Sequence, residues 1–406
     1  MHSGINAKKY CHTLNKTHKI LGLTVVASLL SITAITQTNM LSLGSIPIIG
    51  NALADTTLPL LGPTPIPGEL IPAPTLPPTI VQPPQLPLVP PISTSLLYKI
   101  DKVQSGLVAA DPLTDKTQNK EQLLADQTYW KYNGSAEYYQ TPYDLAKDSQ
   151  GLHLGVQAPA NGDWRGIYAV SPNTDASLFH AVITTDRRTN PPTIPSTFYS
   201  NGLYVQTAAI TDVNYVTCFA DTSSYGTVWA IFLATGNAFG ATDFQRLWYD
   251  PTADQPLTKD CTIITNGNNY LKVYLDGVKV YENSTLNLKM PGPFNAFLEP
   301  QTSYAGDMQY GTYKDYYATT SENVKVTNTP LLAATVKLVD STRHELASAP
   351  VSSGTATLTI GQYHMPLAAY IVVYDANGIE LASTPNPINI FGGDVYSVKT
   401  ILGIGL

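Results

Sequence analysis

The stretch Tyr270-Leu-Lys-Val-Tyr-Leu-Asp-Gly-Val-Lys-Val-Tyr281 alternates apolar and polar residues on both sides of Asp276-Gly277. A period of two marks half-buried strands, because successive side chains point to opposite faces. Leu271, Val273 and Leu275 therefore point one way, and Lys272 and Tyr274 the other. Asp-Gly supplies the positive φ that a two-residue hairpin turn demands. Working outward, short alternating runs recur at 151–157, 178–184, 202–206 and 227–234, separated by Gly, Asn, Asp and Pro. A short helix is expected around Lys120 to Asp126, and no helical period runs beyond about two turns. Residues 96–328 are thus predicted to form one all-β, two-sheet jelly-roll sandwich.

The hairpin resembles that of the concanavalin A-like lectin/glucanase superfamily in its laminin-G-like branch, where a strand ending in Asp-Gly precedes a short returning strand. The later run Tyr316-Tyr-Ala-Thr-Thr-Ser-Glu-Asn-Val-Lys-Val326 is similar to the closing strand that such domains pair beside their first. The resemblance covers the large domain and implies a fold rather than a single activity. Such domains include carbohydrate-binding modules, adhesion domains, glycoside hydrolases and polysaccharide lyases. Calcium at one rim is a further implication, with Asn161-Gly-Asp163 and Asp307 as loop oxygen donors; turn chemistry explains the same residues without a metal.

Residues 331–406 follow Thr329-Pro330 and carry an internal repeat. Asp340-Ser-Thr-Arg-His-Glu-Leu-Ala-Ser-Ala-Pro350 and Asp375-Ala-Asn-Gly-Ile-Glu-Leu-Ala-Ser-Thr-Pro385 share the form Asp-x4-Glu-Leu-Ala-Ser-x-Pro. Each follows an apolar strand and turns at the Asp, so two hairpin units facing each other are expected, in a small immunoglobulin-like or prealbumin-like module.

The first 54 residues hold four Lys (Lys8, Lys9, Lys16, Lys19) and no acid, followed from Ile20 by an apolar run. That is the layout of a secretory signal, with Ala52-Leu53-Ala54 as a cleavage pattern; extension of the run to Leu43 gives a membrane anchor as the competing reading. Either way residues after 55 are exported, to the medium or the cell surface, and a membrane is met only through the uncleaved segment. Thirteen prolines between Pro59 and Pro91 preclude helix and central strand, so 55–95 reads as an extended stalk. Without the leader, 19 basic residues stand against 30 acidic ones, a net of −11, which argues against a nucleic-acid partner.

Cys218 and Cys261 are the only cysteines beyond the leader and are expected to pair in an oxidising compartment. Asn133-Gly-Ser135 and Asn283-Ser-Thr285 are N-glycosylation acceptor sequences.

Hydrolysis of a glycoside needs two nearby carboxylates, and the Glu-x-Asp-x-x-Glu strand of the glucanases is absent, leaving Glu299 alone on its strand. A lyase would need a Tyr or His base with a charge-neutralising partner; His153, Gln157 and His180 are candidates, but the family's lyase strings are missing. His153, His180, His344 and His364 show no metal-ligand spacing. No catalytic residue is therefore assigned. Twenty-five Tyr against nine Phe favour half-exposed aromatic faces that stack on sugars. Trp164, Arg165 and Tyr168 form one candidate carbohydrate-binding group, and Glu299, Tyr304 and Tyr310 a second, with Tyr313 in the same loop region. Non-catalytic binding of an extracellular glycan or surface polymer is the expectation. A lyase or hydrolase and a purely structural envelope component are the alternatives.

Overall fold

A computed structural model describes residues 98–134, 143–161, 163, 165–186, 199–208, 214–223, 226–237, 240–250, 252, 255–306 and 308–401. The leader (1–54) and the stalk (55–95) lie outside the described residues. The described chain is built of strands, with one helix, α1 (Lys120–Ala125), where the sequence places it. Asn119 caps α1 by accepting from the Gln122 N–H while Gln122 accepts from the Asn119 N–H, and Leu123 anchors the helix in the core.

Two large sheets form the jelly roll. One has seven strands in the order β11 (Gly240–Tyr249), β10 (Gly226–Asn237), β9 (Tyr215–Ser223), β8 (Tyr199–Thr207), β15 (Phe294–Thr302), β6 (Arg165–Val170), β3 (Lys131–Gly134). The other has eight. Its order is β14 (Val278–Asn283), β13 (Leu271–Leu275), β12 (Thr258–Thr265), β7 (Leu178–Thr185), β16 (Gln309–Thr319), β5 (Gly151–Val156), β4 (Tyr143–Asp148), with β2 (Leu107–Asp111) beside the second half of β16. The inward faces enclose one core that includes Leu154, Ile167, Phe179, Leu203, Trp229, Ile263 and Leu298. Cys218 on β9 and Cys261 on β12 are bonded through this core, so the bridge joins the two sheets.

The decisive hairpin is β13–β14. Leu275 pairs with Val278, and Asp276 and Gly277 both have positive φ (51° and 74°), as the two-residue turn requires. Leu271, Val273 and Leu275 enter the jelly-roll core, while Tyr274 packs into a second core.

That second core belongs to a smaller sandwich. One of its sheets is β1 (Tyr98–Gln104), β24 (Val395–Thr400), β17 (Asn323–Thr327), β20 (Ala356–Thr359); the other is β19 (Glu345–Pro350), β18 (Ala333–Val339), β21 (Leu367–Asp375), β22 (Glu380–Ser383), with β23 (Ile388–Ile390) beside β21. The module thus draws β1 and β17 from outside 331–406, and the jelly roll sits in the chain between those two strands. The expected closing strand divides accordingly: Tyr316–Thr319 pairs with β2, but Val324 and Val326 lie in the small sandwich, where their side chains complete its core. The two repeat units differ from expectation in one respect. They lie side by side in one sheet through β18–β21 pairing rather than facing each other, because both present their apolar strand as the inner neighbour. Their turns are alike. Asp340 Oδ1 accepts from the N–H groups of Thr342 and His344, and Asp375 Oδ1 from those of Asn377 and Ile379; Arg343 and Gly378, at equivalent places, both have positive φ.

Asp394, fully buried, ties β1 and the turn after it to the segment before β24. It accepts from Gly106 N–H at 2.9 Å and from the Tyr396 hydroxyl at 3.1 Å, and pairs with Lys102 at 2.6 Å. A Cβ on Gly106 would collide with the backbone of Gly392 and Gly393, so this crossing requires glycine.

Candidate carbohydrate-binding face

Most inward positions of the seven-stranded sheet are apolar, and the alternate positions face outward in registered rows. Phe297 pairs with Tyr204, Tyr204 with Thr217, Thr217 with Phe232 and Phe232 with Arg246. One row along, Glu299 pairs with Gly202, Gly202 with Phe219, Phe219 with Ala230 and Ala230 with Tyr249. A further row joins Asn295, Gln206, Tyr215, Ala234 and Phe244. The outcome is two aromatic groups on the outward face: Tyr204, Tyr215, Phe244 and Phe297 in one, Phe219, Phe232 and Tyr249 in the other.

Ring geometry ties them together. Tyr204 and Tyr215 meet edge to face at 5.5 Å, Phe219 and Phe232 tilt at 5.3 Å, and Tyr168 on β6 meets Phe297 edge to face at 5.5 Å. Gly202 allows the crowding: a Cβ there would stand 2.5 Å from the Phe219 Cβ.

Among these rings lie polar groups that burial has altered. Glu299 is only 9% exposed and Gln301, two residues on and on the same face, 4%. Burial pushes the Glu299 carboxyl up to about 8, against an opposing hydrogen bond from Gln301, so it is a neutral acid at pH 7. Burial first, and Glu299 next, push the Tyr204 and Tyr215 hydroxyls well above the ordinary range. Gln301 Nε2 donates to the Tyr204 hydroxyl at 3.2 Å. At neutral pH the set is uncharged, and each of Glu299, Gln301 and Tyr204 both donates and accepts.

The structure brings some of the expected residues here and not others. Tyr168 and Glu299 share the face. Arg165 is at the inward parity of β6, paired with Asp163 at 3.6 Å. Tyr304 lies beyond the end of β15, its N–H donating to Thr302 Oγ1 and its ring against Gly306. Tyr310 is on the outer face of the other sheet, where its hydroxyl donates to Asp144 at 3.0 Å and its ring covers Gly155. Trp164 and Asp307 lie outside the described residues, as does the side chain of Asn133. The excess of tyrosine serves the interior as well as faces: Tyr199, Tyr313, Tyr316 and Tyr396 are fully buried. Tyr204, Tyr215, Phe219, Phe232, Phe297 and Gln301 are additions. For Tyr215 and Phe219 the signal was the alternation in Tyr215-Val-Thr-Cys-Phe-Ala-Asp221, with aromatic and polar residues on one parity and small apolar ones on the other.

His153 and His180 do not meet each other. His153, on the outer face of the eight-stranded sheet, contacts Thr312 Oγ1 and Asp148 at 3.0 Å each; His180 is 1% exposed, stacked on Tyr317 at 4.3 Å beside His364. Among the described residues no group of three or more His, Cys, Asp or Glu could hold a metal ion, and no helix is long and apolar enough to cross a membrane.

No known protein-family profile matches the chain, and no curated protein does. Solved structures similar to it include a carbohydrate binding module from Bacillus subtilis, 11% identical, covering 48% of this chain and 97% of that one at a TM-score of 0.29. A protein of unknown function with a galectin-like fold, also from Bacillus subtilis, is 11% identical over 55% of this chain and 98% of its own, with a TM-score of 0.33. An alginate lyase from Pseudomonas aeruginosa is 9% identical over 52% and 96%, with a TM-score of 0.31.

Proposed function

We propose that this is an exported, surface-associated protein whose jelly roll binds an extracellular glycan or a neighbouring surface polymer without reacting on it. The observation that carries the reading is the outward face centred on Glu299 and Gln301, where hydrogen-bonding groups are framed by the rings of Tyr168, Phe297, Tyr204 and Phe219. Sugars present flat C–H faces edged by hydroxyls, and such rings with interspersed donors and acceptors match both. Binding fits better than hydrolysis. Among the described residues, the other carboxylate at an outward position of these strands is Asp221, in the row of Gln301 and Ser200, two strands and two residues away from Glu299, roughly 12 Å between Cα atoms at ordinary sheet spacing. Export is supported by the Cys218–Cys261 bridge together with the leader.

A glycan array probed with the full chain tests this. Binding to at least one polymer, weakened at least tenfold by Phe219→Ala, is the expected result. An array without any bound glycan would favour the structural-envelope reading, and unsaturated product released from a uronate polymer would establish a lyase.

A further inference from the structure

Resting on the binding reading above, we propose that the Glu299 face takes an uncharged polysaccharide and discriminates against uronic-acid and sulfated polymers. The first ground is the placement of charge. Among the described residues, the cations at outward positions of the seven strands are Lys131 and Arg246, one on each edge strand. Lys131 is two strands from Glu299 and Arg246 four, about 10 and 19 Å at ~4.8 Å per strand. Arg246 is further engaged by the Tyr249 ring, 4.1 Å from its guanidinium carbon. Asp221, the ionised acid at an outward position, stands nearer the middle of the sheet, on β9.

An anionic sugar placed over Glu299 would surrender its hydration with no positive group among the described residues beside it to offset the loss, and a buried charge without a partner is strongly disfavoured.

The second ground is the donor and acceptor inventory. Glu299 in its acid form, Gln301 and Tyr204 each offer a donor and an acceptor. A sugar hydroxyl is likewise both, so it can satisfy either side of every group. A carboxylate or sulfate only accepts, which would leave the acceptor oxygens of Glu299 and Gln301 facing oxygen. Both grounds select against the same class of ligand, and they are independent, since one concerns long-range charge and the other contact chemistry.

Affinity electrophoresis of the full chain tests the inference, in native gels carrying a neutral β-glucan, a neutral mannan, a neutral galactan, alginate, polygalacturonate or a sulfated galactan, at low salt and pH 6.5. Retardation by at least one neutral polymer, with every acidic polymer at least tenfold weaker, is expected. An acidic polymer held as tightly as the best neutral one would overturn the inference while leaving the binding reading intact. If none of the six polymers retards the chain, the binding reading falls and takes the inference with it. Glu299→Leu supplies the second measurement, since it removes the hydrogen-bonding groups while keeping a neutral side chain of similar bulk. With its melting temperature at or above wild type, it is expected to lose at least tenfold in neutral-polymer affinity without gaining any for the acidic ones. A folded Glu299→Leu protein that binds the neutral polymer like wild type would show that recognition does not run through Glu299.

Discussion

Lys272 in the β13 strand and Glu322, immediately before β17, form an ion pair at 2.7 Å in the seam between the two sandwiches. Burial alone would lower the Lys272 ammonium, but Glu322, with Tyr270, more than offsets this and holds it above the ordinary lysine range. Removing Lys272 leaves Glu322 as a buried charge, and removing Glu322 leaves Lys272 with the longer contact to Glu282 at 3.4 Å. Lys272→Met or Glu322→Leu alone is expected to cost about 3 kcal/mol, while the Lys272→Met, Glu322→Leu double variant recovers most of it. Chemical denaturation of the four proteins measures the cycle; strictly additive single effects would show that the pair is not coupled.

Glu299 gives stability a pH dependence of unusual sign. Its folded-state pKa, about 8, exceeds the ordinary 4.5, so the folded protein holds the proton more tightly than the unfolded chain. The contribution is therefore complete below pH 4.5 and is lost as pH rises to about 8, on the order of 5 kcal/mol at most. The tyrosines around it, Tyr204 and Tyr215, stay protonated through this window, and among the described residues Asp221, Lys131 and Arg246 are the charged groups at outward positions of the same sheet. Glu299→Gln removes the slope. Melting curves should show the variant more stable than wild type at pH 8.5, with the difference shrinking toward pH 4.5; parallel curves would contradict a buried neutral acid.

The Cys218–Cys261 bridge closes a loop spanning 43 positions and pins one sheet to the other. Reduction, or the Cys218→Ala, Cys261→Ala variant, is expected to lower stability by roughly 3–4 kcal/mol. Thiol labelling under denaturing, non-reducing conditions should find no free thiol at either position.

Binding and stability should separate across the aromatic residues. Phe219 is buried against Phe232, so Phe219→Ala lowers both affinity and melting temperature. Trp164→Ala is proposed to weaken glycan binding by roughly 1–3 kcal/mol with little change in melting temperature. Unfolding by Trp164→Ala with unchanged binding per folded molecule would make it a core residue.

Asn283 is proposed as a glycosylation acceptor in a host that modifies exported chains. Its Oδ1 already accepts from Thr285 N–H and Oγ1 at 2.8 and 2.9 Å, in an exposed turn after β14. Intact mass should exceed the chain mass and drop with Asn283→Gln; an unchanged mass would count against it.

Much of this architecture was legible in the residues themselves. Turn chemistry at Asp276-Gly277, the alternation of Leu271, Val273 and Leu275, the capped helix at 120–125 and the repeated Asp340 and Asp375 turns are local, set by φ preferences and by contacts a few residues apart. Strand identity follows from period two because the pleat imposes it on any chain. What alternation leaves open is the partner. It says that Lys272 and Tyr274 point away from Leu271, and only the tertiary structure decided that this second side is covered by another sandwich. Likewise nothing local distinguishes β1 and β17 from jelly-roll strands, because pairing Tyr98 with Thr400 is a contact across nearly the whole described chain. The site divides the same way. Glu299 and Tyr168 could be picked out by residue type, but the rows that set Tyr204, Phe219 and Gln301 beside them come from the registers of separate strands, and the burial that turns Glu299 into a neutral acid exists only once those strands have met.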